Sequence, residues 1–433
     1  MKLSFMTVCL ILIWSLRGQS NITVNDLGSY NHPDNFSLDS SVFSTYPFIN
    51  LSENNFKFCS EESANWIHFY REFEAMVSNK DRKLNLYHLG GSHLQADIYT
   101  HIIRNSLQSY WEDLCGERGQ VFPFALAGTN NPTNYRFKSP NKWKGYRSVS
   151  VRPEYLRYGL SGIIATCPDS VIRLLFSYDR TDVRPEFSAF RIFHNTGKLP
   201  YSIHLLNENV EIKEVYTNDE YGYTEFVLNT EIDSLSIEFV RNTKVSRNLE
   251  IYGLTFMNEE PGASYSAIGV NGASLSTYIE NERFEEQLCL YPPDYFAFSV
   301  GTNDANIPSS KFDPMVYQTN LEQMILKVIR CNPDCALLLT VPNDAYYQQK
   351  YPNPNLEKVR ESIYFLAQKY KACVWDLFMI MGGSGSSRTW LDAGLMQADL
   401  VHFSNLGYRV KGQLYFDAFL KFLDQMRNNE KIK

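Results

Sequence analysis

Residues 84–97 read Leu-Asn-Leu-Tyr-His-Leu-Gly-Gly-Ser-His-Leu-Gln-Ala-Asp, an alternating apolar segment that runs into two glycines and Ser92. Apolar residues at every second position mark a strand, and Ile98, Ile102, Ile103 and Leu107 then recur at helical spacing, which predicts a helix starting just after Ser92. A strand, a tight turn and a helix in that order form a βα unit, which commits the chain to parallel strand pairing with helices on both faces of the sheet. The same rhythm resumes after Pro261-Gly262. Buried-type strands are expected at 295–300, 336–341 and 374–377, with helices at about 314–330 and 356–370 and a closing helix at 406–426. Open sheets of this kind bind ligands beyond the carboxyl ends of their strands, which is where Ser92 falls.

Three downstream motifs give Ser92 a chemical context: Gly269-Val-Asn-Gly272-Ala, Gly301-Thr-Asn303-Asp304 and Asp399-Leu-Val-His402. A serine hydroxyl is a weak nucleophile until a base takes its proton, and imidazole titrates near neutrality. His402 is the candidate base. Asp399, three residues earlier, can fold back within one local turn and accept the other ring N–H, fixing the tautomer. Gly272 lets the backbone approach a ligand closely, and Asn303 is a neutral donor just past a predicted strand. Taken singly, each motif has an ordinary reading as a turn or a solvated loop. Together, each at a predicted strand end, they are the parts of a serine hydrolase.

The order Ser, Gly, Asn, His resembles the SGNH (GDSL-type) hydrolase family over roughly 60–120 and 262–425. The resemblance implies an α/β, three-layer flavodoxin-like domain. It also implies a triad of Ser92, His402 and Asp399, and an oxyanion hole formed by the N–H of Ser92, the N–H of Gly272 and the amide of Asn303. No metal or organic cofactor is implied. The family's usual Gly-Asp-Ser is Gly-Gly-Ser here, with Gly91 in the middle. Exported members interrupted by a β-domain resemble bacterial carbohydrate or peptidoglycan O-acetylesterases, so an acetylated polysaccharide or peptidoglycan is the expected partner. Two other readings follow from the same residues: a glycan O-acetyltransferase of the same fold, and a non-catalytic glycan-binding relative, which the Gly91 departure motivates.

Between the two halves the pattern changes. From 121 to about 260, Gly, Pro and Asn turns separate short runs of period two, which predicts an all-β sandwich or jelly roll inserted into a hydrolase made of 56–120 and 261–433. Predicted strands include 170–178, 201–206, 224–228, 235–239 and 249–253. Residues 1–20 read as a secretory leader, with Lys2 ahead of an apolar run, and 21–55 as an Asn/Ser-rich arm with three N-glycosylation triplets. That leader places the protein in the periplasm or outside the cell. No later run approaches the ~18 apolar residues of a spanning helix.

A net charge of −7 argues against nucleic acid as a partner. Export permits disulfides; Cys331 and Cys335 are close enough in sequence to pair, with free thiols expected elsewhere. His88, His93 and His101 lie close together but on different predicted elements, so no metal site is expected there. Trp390, shortly before the Asp-x-x-His loop, is the aromatic singled out as a pocket wall. The oligomeric state is not legible.

Overall fold

The strand Lys83–Gly90, with Leu84, Leu86 and Leu89 buried, lies inside a six-stranded sheet. The computed structural model describes residues 44–59, 63–151, 153–179, 186–197, 201–242 and 247–432. The expected leader and the arm as far as residue 43 lie outside them, as do the triplets starting at Asn21 and Asn35. Across the sheet the strands run Lys57–Phe58, Cys373–Asp376, Ala336–Val341, Tyr295–Ser299, Lys83–Gly90 and Gly262–Gly269. All pairs are parallel except the one made by Lys57–Phe58 at the edge. In chain order the five parallel strands are therefore arranged 2-1-3-4-5, the flavodoxin-like order.

Helices cover the sheet because their apolar stripes face it. Asn405–Ile432 packs on Tyr99–Ser109 and Ala64–Asn79, and Pro314–Cys331 packs on Asn355–Tyr370. In the first group Trp66 meets Phe422 at 4.8 Å between ring centroids and Phe73 meets Phe419 at 5.2 Å, both edge-on. In the second, Asp313 caps its helix by accepting from Met315 N, with Pro314 at the first helical position.

The middle of the chain forms two antiparallel sheets. One has seven strands, with Phe187–His194 and Leu249–Met257 paired at its centre, and the other has four, with Val171–Tyr178 and Ser234–Arg241 at its centre. Val171–Tyr178 alternates exposed and buried residues, and its Phe176 meets Phe256 of the other sheet at 4.4 Å, so the sheets face each other across an aromatic core. That core continues into the parallel domain: Phe176 and Phe256 belong to the same buried cluster as Leu89, Phe298 and Val374. Ser37–Lys433 forms one compact unit.

Three details differ from the sequence reading. The helix after Ser92 is broken in two, Ser92–Gln95 and Tyr99–Ser109, because Asp97 adopts φ +45° between them. Cys331 pairs with Cys289, 42 residues away, and not with Cys335, which is a buried free thiol. Trp390 is fully buried, donating to Met381 O and packing on Phe403, so it is core and not an exposed wall. Among the described residues no helix is long and apolar enough to cross a membrane.

Candidate active site

Gly90 lies level with Gly269 on one side and Ser299 on the other, so three neighbouring strands end together. Ser92 and Asn303 lie in the short helices Ser92–Gln95 and Thr302–Ala305 that leave two of those ends, and Gly272 sits on the loop that leaves the third. This is the topological switch point of the sheet, where the connections diverge to either side and leave a crevice.

The Asp399–His402 loop is built to hold an imidazole. Asp399 Oδ1 accepts from the backbone N–H of Val401 and of His402, each at 2.9 Å, while Oδ2 stands 2.7 Å from His402 Nδ1. A carboxylate can only accept, so Nδ1 carries the proton and Nε2 is left with its lone pair free. That nitrogen lies 2.8 Å from Ser92 Oγ, geometry in which the hydroxyl donates to it. Burial pushes the Asp399 carboxyl up, but the backbone and ring N–H groups of His402 and the N–H of Val401 outweigh it. They hold the carboxyl below the usual carboxylate range. The loop spends backbone strain on this arrangement: Leu400 is held at φ +58°. It is also tied down from outside, since Asn343 Nδ2 donates to Val401 O and Tyr346 N to Leu400 O.

Gly272 has φ +84°, a conformation that favours glycine. Asn303 Nδ2 donates to Ala273 O at 2.8 Å, which orients the amide and leaves its second N–H uncommitted. Gly91 separates these groups: a Cβ there would come within 2.9 Å of Asn303 Nδ2. The glycine in place of the more usual aspartate therefore leaves space that Asn303 occupies. Asp304 Oδ1 accepts from Leu275 N, bracing the Gly272 loop, and burial pushes its carboxyl up to about 6.

Several residues escaped the sequence reading. Gln95 receives Asn271 N through Oε1 at 2.7 Å and donates through Nε2 to Thr129 Oγ1 and Asn130 O, so it ties the Ser92 turn to the Gly272 loop and to the middle segment. Behind the triad, the His93 ring packs 5.1 Å from that of His402 and bonds Tyr408 OH through Nδ1. Burial, then the charges of Lys411 and His402, hold His93 well below the ordinary histidine range. Lys411 is itself buried over the Tyr99 and Phe403 rings, and that burial lowers its ammonium to about 7. Nothing in the spacing of these residues signals proximity. His88 also lies nearby, bonded to Tyr265 and Ser299, whereas His101 is within reach of Asn105. Among the described residues no group of three or more His, Cys, Asp or Glu stands where it could hold a metal.

Residues 252–410 match the GDSL-like lipase/acylhydrolase family. The fold aligns with the solved structure of a peptidoglycan O-acetylesterase at a TM-score of 0.68 and 18% identity, covering 82% of this chain and 96% of that one. The chain has the SGNH hydrolase fold, and its stretch 252–410 is similar to the GDSL-like lipase/acylhydrolase family. Smaller likenesses are found to a lipase/acylhydrolase from Enterococcus faecalis and to an acetyl xylan esterase. The first has a TM-score of 0.30, 21% identity and coverage of 35% of this chain and 73% of that one. The second has a TM-score of 0.30, 19% identity and coverage of 36% and 81%. No curated protein matches the chain.

Proposed function

We propose that this protein is an exported serine esterase that removes O-acetyl or other short acyl groups from a cell-wall or extracellular glycan. The observation that carries the reading is the hydrogen-bond chain Ser92 Oγ–His402–Asp399 at the switch point of a parallel sheet. Ser92 Oγ attacks the ester carbonyl as its proton passes to His402 Nε2; Asp399 stabilises the imidazolium that forms. His402 then gives the proton to the departing sugar oxygen, leaving an acyl-enzyme on Ser92. Water then attacks the acyl carbonyl as its proton passes to His402, which returns the proton to Ser92 Oγ as the ester bond breaks and the acyl group leaves as the free acid. Ser92 N–H, Gly272 N–H and the uncommitted N–H of Asn303 serve as the oxyanion donors. Residues 121–260 form the inserted β-domain in this reading, and export rests on the apolar leader at 1–20. The glycan is favoured as substrate because a structural counterpart that covers most of the chain is a peptidoglycan O-acetylesterase.

The experiment is release of acetate by the purified protein from O-acetylated peptidoglycan, set beside hydrolysis of an aryl acetate. Turnover of both is expected; an inert protein would refute the reading. Asn303→Ala should lower kcat on the aryl ester by roughly 10²–10³ with little change in KM, since an oxyanion donor acts mainly in the transition state. A change confined to KM would assign Asn303 to substrate binding instead.

A further inference from the structure

Beside Gly272 the middle segment comes within reach of the crevice. Val149 Cγ1 lies 4.0 Å from where a Gly272 Cβ would be, so the turn carrying Val149 meets the candidate oxyanion loop directly. On either side of that valine, Ser148 and Ser150 line a cavity of about 200 Å³, together with Val151, Tyr158, Thr277 and Glu280. Its two walls are joined: Tyr158 N donates to Glu282 Oε2 at 3.1 Å, and Arg283 N to Tyr158 O at 3.0 Å. The lining is amphiphilic in the way a sugar ring is. Val151 offers an apolar surface, Ser150 a hydroxyl and Glu280 a carboxylate acceptor at the accessible side. Deeper in, Ser148 Oγ is buried without a hydrogen-bond partner, and so are both amide atoms of the fully buried Asn281. Ser148 Oγ and Asn281 Nδ2 each lie 3.1 Å from the same point, the Cβ position of Gly162, and so flank one spot. Buried polar groups left unpaired cost roughly 1–3 kcal/mol each, a cost that a bridging water between them removes.

We propose that this cavity is a saccharide subsite that receives the neutral sugar unit beside the ester-bearing one. The proposal rests on the esterase reading only for the identity of that neighbouring unit. Glu280 gives the subsite its selectivity: a carboxylate accepts from sugar hydroxyls or an N-acetyl N–H, and repels a uronate. Because the lining residues flank the one that touches Gly272, occupancy also positions the ester over Ser92, so the subsite acts on polymer and leaves small esters indifferent.

Binding can be measured without turnover. By calorimetry, Ser92→Ala protein should bind tetra-N-acetylchitotetraose and show at least tenfold weaker affinity for a tetragalacturonide. Ser150→Trp, which fills the cavity from an exposed position, should weaken the neutral ligand tenfold or more. Glu280→Ala should weaken it severalfold, and Glu280→Lys should reverse the preference toward the uronide. None of the three should change hydrolysis of an aryl acetate in the Ser92 protein by more than about twofold. No binding by the Ser92→Ala protein, or unchanged affinity in both Ser150→Trp and Glu280→Lys, would overturn the subsite. Neutral-sugar binding with no ester hydrolysis would instead retain the subsite and overturn the esterase.

Discussion

Ser92→Ala and His402→Ala are each expected to lower aryl acetate hydrolysis by roughly 10³–10⁶, the range found when a triad serine or histidine is removed, while thermal unfolding stays close to that of the unaltered protein. Activity should vanish because Ser92 Oγ and His402 Nε2 are 2.8 Å apart and neither has a substitute within the turn. His93 is the obvious rival base, yet its ring is committed to Tyr408 through Nδ1 and is held neutral by burial and by Lys411. Folding should survive because Ser92 and His402 are only half-buried and hold no part of the core. The double variant should be no worse than either single one, since the two act as a unit. Additive losses would mean that the two residues act independently.

Asp97→Ala should cost the most stability, roughly 3–5 kcal/mol, by leaving buried charge without its partner. The Asp97 carboxylate receives Arg104 at 3.0 Å, Arg118 at 2.7 Å and Asn134 Nδ2 at 2.9 Å, all among buried side chains. This cluster joins the turn after Ser92 to the strand Gly119–Val121 that enters the β-sheets. Burial alone would push the Asp97 carboxyl up; the two guanidinium groups prevail and hold it well below the usual carboxylate range. Because the folded value is the lower one, the unfolded chain takes up the proton first. The contribution is complete above about pH 4, the unfolded value, and is lost as pH falls further. Urea unfolding midpoints measured from pH 7 to pH 3 should therefore drop steeply below pH 4 in the unaltered protein and less steeply in Asp97→Asn. Parallel curves would remove Asp97 from the account of acid stability.

Much of this arrangement was legible because it is local. The alternation before Gly90, the helical stripe Leu356, Val359, Ile363 and Leu366, and the three-residue spacing of Asp399 and His402 all reflect contacts within one element. What escaped depends on partners distant in sequence. Gly262–Gly269 reads Gly-Ala-Ser-Tyr-Ser-Ala-Ile-Gly, too polar to suggest a buried strand. It is buried because Ser266 Oγ receives Gln120 N and Gly119 allows close approach to Tyr265. The break at Asp97 has the same origin, since a left-handed aspartate is worth its strain only when two arginines from other elements reach it. The Cys289–Cys331 pair and the packing of His93 beside His402 likewise arise from chain crossings that spacing does not encode.

The claim on which the rest depends is that Ser92 becomes acylated. Treating the folded protein with a fluorophosphonate and mapping the adduct by peptide mass spectrometry tests it directly. A single adduct on the peptide containing Ser92 is predicted, formed much more slowly in His402→Ala and absent in Ser92→Ala. An unlabelled protein, or an adduct on another serine that persists in Ser92→Ala, would contradict it.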